Sequence, residues 1–194
     1  MKAEFNEDFT QAVLSGAMNS LDARITIDCT TDMLEITYNF RNTGENPIPK
    51  AQEMCFQLTG APHFRDFDGR RTFLSHLQEH ISRAQMWNHY SERLLIQDYA
   101  FGETPDPSEK GPRIDFSSMA TESKDGQWTV GVYTSQPIRF AGNLEYSCLH
   151  VDPKSPLGSG QSYHLTQKIY FIKGNIKEFS YRVWDDHRCK KMGP

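Results

Sequence analysis

The sequence lacks features that would assign it to several common classes of protein. It has no apolar run of the length needed to span a bilayer, so we expect no membrane partner. Basic residues cluster only near the C-terminus, at Arg188, Lys190 and Lys191, and the formal net charge is −4. Binding to nucleic-acid phosphates needs clustered positive charge. We therefore expect no nucleic-acid partner either.

Motifs for nucleotide and serine-hydrolase chemistry are also missing. The chain contains no G-x-x-x-x-G-K-[ST], no G-x-G-x-x-G and no G-x-S-x-G. These patterns bind phosphates or present a nucleophile. The sequence therefore gives no support to nucleotide hydrolysis, dinucleotide-dependent redox chemistry or α/β-hydrolase chemistry.

Cysteine is scarce, and the four cysteines form no C-x-x-C pair. Three of them lie in strand-like runs, where a thiol usually serves as a small apolar side chain. We expect reduced thiols, and the alternative is a disulfide or a role in metal binding. The first residues are acidic and lack the apolar core of a signal peptide, so the expected location is the cytoplasm.

The features that are present favour a β protein of one domain. The chain has 194 residues, of which 12% are aromatic and 24% are charged. This length suits one hydrophobic core, so the expected domain spans residues 1–194, with 1–20 as a helical or irregular lead-in segment. The aromatic content favours strands over helical bundles.

Apolar and polar residues alternate along several segments. The clearest run is 34–40, where Leu34, Ile36 and Phe40 alternate with polar residues, as in a strand covered on one side. Similar runs at 25–29, 54–58, 128–132, 144–149 and 165–171 predict further strands. The expected fold is mostly β, an antiparallel, jelly-roll-like β-sandwich, although a closed barrel would show the same period.

Two helices are predicted in addition to the strands. Apolar residues at three- and four-residue steps between 73 and 90 predict an inserted amphipathic helix. Asn175 suits a helix N-cap, and Glu178 stands where a capping box places its acidic residue. A short C-terminal helix is therefore expected to follow Asn175.

A possible metal site falls on the predicted inserted helix. His76 and His80 stand four residues apart with Glu79 between them, a spacing that suits two imidazole ligands of a zinc-class ion. The string also matches the H-x-x-E-H pattern of one class of metallopeptidases. His89 is the candidate third ligand. The alternative is a solvated helix face without a metal, and no other cofactor is implied.

A possible ligand site combines residues from two consecutive predicted strands. His150 and His164 lie near Tyr170 and Lys168 if strands 144–151 and 164–172 are neighbours. Imidazole and phenol groups can serve in acid–base chemistry or bind a sugar by hydrogen bonds and stacking. The alternative is a set of polar residues on an exposed sheet face.

A third cluster spans residues 64–71. Arg71 and Asp66 lie there beside further charged and aromatic residues. Arginines in such a loop can bind a carboxylate through paired hydrogen bonds, and the alternative is an ion-pair network within the surface.

Three segments together carry a resemblance to a known group. They are C-F-Q-L at 55–58 with A-P-H-F-R-D at 61–66 and R-T-F at 71–73, C-L-H-V-D-P at 148–153, and K-I-Y-F-I-K-G at 168–174 after Gly160. In this order they resemble uncharacterised bacterial β-sandwich proteins of unassigned function, over residues 30–180. The resemblance implies the sandwich fold, supplies no mechanism, and points to His150, Arg71 and Asp66.

The sequence does not distinguish between three possible functions. The leading hypothesis is a domain that binds a carbohydrate or another small ligand against aromatic side chains and the groups of His150, His164 and Arg71. The first alternative is a metal-dependent enzyme that uses the histidine cluster. The second is a non-catalytic interaction or assembly subunit, for which a homo-oligomer is one form.

Overall fold

A computed structural model describes residues 1–49, 54–57, 61–66, 70–76, 79–82, 116–142, 147–151 and 156–191. In this part of the chain the backbone forms antiparallel strands followed by one α-helix. The strands are β1 (Lys2–Phe5), β2 (Gln11–Met18), β3 (Leu21–Cys29), β4 (Met33–Asn42), β5 (Met54–Gln57), β6 (Thr72–His76), β7 (Glu79–Ser82), β8 (Phe116–Glu122), β9 (Trp128–Gly142), β10 (Ser147–Val151) and β11 (Ser162–Lys173). The helix is α1 (Ile176–Lys191).

The strands form a large main sheet and a small second sheet that share one long strand. The order in the main sheet is β1-β2-β3-β4-β11-β9-β8-β6-β7. The first half of β9 lies between β11 and β8, whereas its second half pairs with β10, which in turn pairs with β5. A strand that passes from one sheet to another is a common feature of β-sandwiches. The predicted antiparallel β-sandwich is confirmed.

The main sheet has two faces of different character. Tyr170, Lys168 and His164 of β11 lie on the face that carries α1, which we call the helix face. Leu165 and Gln167 lie on the opposite face, because successive residues of a strand point to opposite sides. The helix α1 therefore covers the helix face of the main sheet near Tyr170.

The opposite face confirms the predicted period of two in the hairpin formed by β3 and β4. Phe40 and Leu21 are buried there together with Leu157, and Tyr38 and Tyr163 pack against them. The rings of Tyr38 and Phe40 stack with their centroids 6.3 Å apart. The alternating run at 34–40 thus builds part of a core, as its pattern indicated.

The C-terminal helix begins with the predicted capping box. The Asn175 side chain accepts a hydrogen bond from the Lys177 N–H at 2.8 Å, and the Glu178 carboxylate accepts one from the Asn175 N–H at 3.0 Å. Glu122 of β8 also accepts the Ile176 N–H at 2.8 Å. These contacts satisfy backbone donors that the first helical turn would otherwise leave without a partner.

The apolar stripe of α1 packs on the helix face. Phe179, Ile176 and Val183 are buried against Tyr170 and its neighbours. The close approach depends on Gly131 in β9, where an added Cβ would meet the Phe179 ring and come within 2.6 Å of the Ala120 Cβ. Glycine at this position therefore allows the helix to lie directly on the sheet.

Two predicted elements are wrong in the described part of the chain. Residues 1–20 hold β1 and β2 in place of a helical or irregular lead-in segment. The inserted helix expected near 73–90 is a hairpin of β6 and β7 as far as residue 82, and residues 83–90 lie outside the described residues. The period of 3.6 was misleading here because a short apolar run fits a strand as well as a helix.

None of the helices in the described ranges is long and apolar enough to cross a membrane.

Candidate functional site

The residues predicted to bind a ligand occupy three separate places. The two histidines lie in different sheets, because β10 with His150 pairs with β5 and β9, whereas β11 with His164 pairs with β4 and β9. The expectation that these two strands are neighbours is therefore wrong. His164 and Tyr170 do share the helix face, but six residues of strand separate them by about 20 Å.

Arg71 and Asp66 form the third place, beside the start of β6. The backbone N–H of Arg71 donates to the buried Asp66 carboxylate at 3.0 Å, and the Arg71 Nε lies 3.9 Å from the same group. The guanidinium also donates to the backbone carbonyls of Glu122, at 2.6 Å, and Arg65. These contacts hold the segment before β6 against the end of β8. Ligand binding by this pair stays a prediction.

The histidines of the predicted metal site do not share a helix. In the hairpin of β6 and β7, His76 pairs with Glu79, whereas His80 pairs with Ser75. This register places the two histidine positions on opposite faces of the sheet, so the helical spacing behind the prediction does not exist. Among the described residues no group of three or more potential ligands is arranged to hold a metal ion. His89 lies outside the described residues.

The helix face carries a charged cluster where α1 meets β11. Asp186 of the helix accepts a hydrogen bond from the Tyr170 hydroxyl at 2.6 Å and another from Lys168 Nζ at 3.1 Å. Lys168 also lies 3.6 Å from Glu35 of β4. Arg182 lies 3.9 Å from Asp186 and contacts Asp32, in the turn between β3 and β4, at 3.6 Å. We call these six residues the Asp186 cluster.

The electrostatics of the Asp186 cluster favour one set of protonation states. Burial and the hydrogen bond to Asp186 raise the pKa of Tyr170 far above its usual range. Burial by itself would raise the pKa of Asp186, but the hydrogen bonds from Tyr170 and Lys168 and the positive charges nearby outweigh it and lower this pKa. A neutral phenol and an ionised carboxylate fit a structural role at neutral pH better than proton transfer.

A polar surface adjoins the cluster on the helix face. Cross-strand neighbours from β3, β4 and β11 form three successive rows there, and α1 packs on β8, β9 and β11. We call this surface the polar face, and its rows are Arg24–Asn39–His164, Thr26–Thr37–Thr166 and Asp28–Glu35–Lys168.

Hydrogen bonds between strands order the side chains of the polar face. In the first row His164 Nδ1 lies 2.8 Å from Asn39 Oδ1, and both His164 and Arg24 are exposed. In the second row the hydroxyls of Thr37 and Thr166 lie 3.4 Å apart. Three strands and three rows give a surface of about 10 Å by 14 Å. It offers an imidazole, an amide, hydroxyls and charges of both signs to one ligand.

Three of the large exposed rings in the described residues, Phe5, Trp128 and Phe171, stand at strand positions that face the opposite side of the main sheet. The exposed rings of Phe9 and Tyr181 belong to the turn after β1 and to α1. Tyr170 and Tyr133 do lie on the helix face, but both are buried beside α1. A ligand on the polar face would therefore be held mainly by hydrogen bonds, in contrast to the ring stacking that the sequence suggested.

Asn39 of the polar face and Asp186 of the adjoining cluster are residues that the sequence analysis missed. Asn39 is visible only as the polar member of an alternating strand, and its contact with His164 joins residues 125 positions apart. Asp186 lies on the polar side of the predicted C-terminal helix. The sequence alone does not show that this helix packs against β11. The partner of each residue follows from strand order and helix placement, which sequence alone did not supply.

Comparison with known proteins shows which fold the chain has, but it does not assign the chain to a family. No family model matches the chain, and no curated protein matches it.

Several solved structures share the architecture. A galactose mutarotase-like protein from Lactobacillus casei ATCC 334 aligns with a TM-score of 0.53 at 11% identity, over 88% of this chain and 72% of that one. A candidate aldose 1-epimerase from Escherichia coli K12 aligns with a TM-score of 0.50 at 14% identity, over 89% and 68% of the two chains. A polysaccharide lyase aligns with a TM-score of 0.51 at 13% identity. That match covers 94% of this chain but only 24% of the lyase. The chain therefore has the galactose mutarotase-like β-sandwich fold.

Proposed function

We propose that this protein binds a carbohydrate or a similar polyhydroxylated small molecule on the polar face. The observation that carries the proposal is the 2.8 Å contact between the exposed His164 and the half-buried Asn39, in the first row of this polar, three-stranded surface. A side chain that a neighbour already orients loses little further freedom when a ligand binds. The pair is therefore suited to fixed hydrogen bonds with sugar hydroxyls.

The composition of the polar face agrees with this class of ligand. Arg24 stands next to Asn39 in the same row, and the threonine hydroxyls of the second row can each donate and accept. The third row carries Lys168 beside Glu35, so charges of opposite sign lie at one end. Uncharged hydroxyl-rich molecules match such a mixed surface better than polyanions, which would meet the carboxylates.

The fold gives supporting analogy only. Solved structures of this architecture include a galactose mutarotase-like protein and a polysaccharide lyase, whose names refer to sugars. One fold can carry many functions, so the proposal depends on the residues of the polar face.

The test is a ligand screen followed by a comparison of variants. A panel of monosaccharides and short oligosaccharides is titrated into isotope-labelled protein, and shifts of the backbone amides of β3, β4 and β11 are recorded. We expect one sugar class to shift amides around His164, and H164A to weaken its binding at least about tenfold, the loss of one well-placed hydrogen bond.

His63 provides the matched control, because it is an exposed histidine outside the main sheet. H63A is expected to bind like the unaltered protein. If no sugar shifts these amides, or if H164A and H63A bind equally well, the proposal is wrong. Shifts confined to the region of Arg71 and Asp66 would instead favour the loop cluster predicted from the sequence.

A further inference from the structure

The edge of the main sheet carries a strand that is complementary to itself. The strand β1 stands at the end of the strand order and, among the described strands, pairs with β2 alone. All four of its residues are exposed. An edge strand presents unpaired N–H and C=O groups, and proteins usually block such an edge with charges or a bulge.

The backbone of β1 directs hydrogen-bonding groups away from β2. The Asn6 N–H donates to the Gln11 carbonyl at 3.1 Å, which fixes the phase of the ladder between the two strands. Residues that bond to a neighbour alternate along an antiparallel strand. Lys2 and Glu4 therefore bond toward β2, and the N–H and C=O groups of Ala3 and Phe5 point outward.

The side chains of β1 alternate in a way that suits antiparallel pairing with an identical strand. When two copies pair about a two-fold axis through Ala3, Lys2 of each stands opposite Glu4 of the other, and Met1 stands opposite Phe5. Ala3 then pairs with its own equivalent through the outward backbone groups. Both charge pairs are attractive, whereas an edge with charges of one sign would repel its copy.

The same edge exposes apolar side chains on the opposite face of the sheet. Met1 is 86% exposed, Phe5 61% and Phe9 78%, and the rings of Phe5 and Phe9 lie 6.0 Å apart. Within one protomer Lys2 pairs with Glu4 at 2.5 Å. Pairing of two edges would cover part of this apolar surface and exchange the two internal ion pairs for two across the interface.

We propose that two copies of this chain associate through β1, so that their main sheets continue across a two-fold axis at Ala3. The interface is isologous and closes after two copies, because each edge is used once. A short strand buries less surface than a stable interface requires, so the dimer is expected to be weak, with a dissociation constant on the order of 10–100 μM.

The experiment measures the dimerisation constant by sedimentation equilibrium for the unaltered protein and for charge variants. K2E and E4K each place like charges opposite one another, and each is expected to raise the dissociation constant at least about tenfold. The double exchange K2E/E4K restores opposite charges and is expected to stay within about threefold of the unaltered protein. It is the matched control, since both side chains are replaced.

Mixing the two single variants gives a second measurement. K2E carries only negative and E4K only positive charges on the edge, so the mixture is expected to form a heterodimer. A protein that stays monomeric up to about 1 mM overturns the proposal. A dimer that is insensitive to both single variants, or the absence of the mixed dimer, overturns it as well. Sugar binding is tested with variants of His164 and His63, and dimerisation with variants of Lys2 and Glu4, so either proposal can fail while the other stands.

Discussion

At the scale of single residues, Tyr170 shows how buried polarity is used in this protein. Its side chain is fully buried, and its hydroxyl donates to Asp186 at 2.6 Å. The ring packs edge-on against Phe179, with centroids 5.8 Å apart, and the Arg182 guanidinium lies 5.9 Å from its centre. One side chain thus joins the apolar core under α1 to the charges at its rim.

Removal of the Tyr170 hydroxyl tests the strength of this link. We expect Y170F to lower the free energy of unfolding by about 1.5 kcal/mol, because a hydrogen bond to a charged group is lost while Asp186 keeps Lys168 as a partner. The measurement is urea unfolding monitored by tryptophan fluorescence.

The control for this variant is Y181F, because Tyr181 lies on the same helix but is 68% exposed. Its free energy of unfolding should stay within about 0.5 kcal/mol of the unaltered protein. Equal effects of Y170F and Y181F would contradict the role assigned to the contact with Asp186.

At the scale of elements, the ends of α1 are held to the sheet by different means. The capping box and Glu122 fix its first turn, and Phe179 above Gly131 fills the space in the middle. The Asp186 cluster connects its later turns to β11 and, through Arg182, to the turn between β3 and β4. Docking of the helix therefore depends on charge state as well as on apolar burial.

The shifted pKa values predict how stability depends on pH. The pKa of Asp186 is lowered in the folded protein, so its contribution is complete above about pH 4 and is lost as the pH falls below that value. The pKa of Tyr170 is raised, so its contribution is complete below about pH 10 and is lost as the pH rises further. We expect D186N to make the acid side of the stability profile shallower, and Y170F the alkaline side.

Urea unfolding at a series of pH values checks this expectation, with D185N as the control. Asp185 is the neighbouring carboxylate on α1 and is exposed, so its replacement should leave the slope on the acid side unchanged. A profile for D186N that is parallel to that of the unaltered protein at every pH would show that the cluster contributes nothing through its charges.

The elements also show what could be predicted from sequence. The hairpin of β3 and β4 and the start of α1 were predictable, because alternation at Leu34 to Phe40 and capping at Asn175 are local signals. The hairpin of β6 and β7 was not, since a few apolar residues at mixed spacing fit either period. The polar face could not be predicted from the sequence, because Asn39 contacts His164 only when β4 and β11 are neighbours in the sheet.

At the scale of the whole molecule, the main sheet changes from an exposed edge to a buried centre. All of β1 is exposed, whereas β11 lies between β4 and β9 and has buried residues on both of its faces. On one face Tyr170 lies under α1, and on the other Leu165 is almost fully buried. Resistance to local opening should follow the same gradient, because it depends on buried contacts around each strand.

Amide hydrogen exchange of dilute protein measures this gradient. We expect exchange to be slowest in β11 and the paired half of β9, intermediate in β3, and fastest in β1, with protection factors that differ by at least about a hundredfold between β11 and β1. The comparison uses backbone amides bonded within the sheet in every strand, such as Glu4 in β1 and Ile169 in β11, so that hydrogen bonding is matched. Equal protection of these two amides in the monomer would show that the sheet opens as one cooperative unit, and the distinction between a labile edge and a stable centre would be wrong.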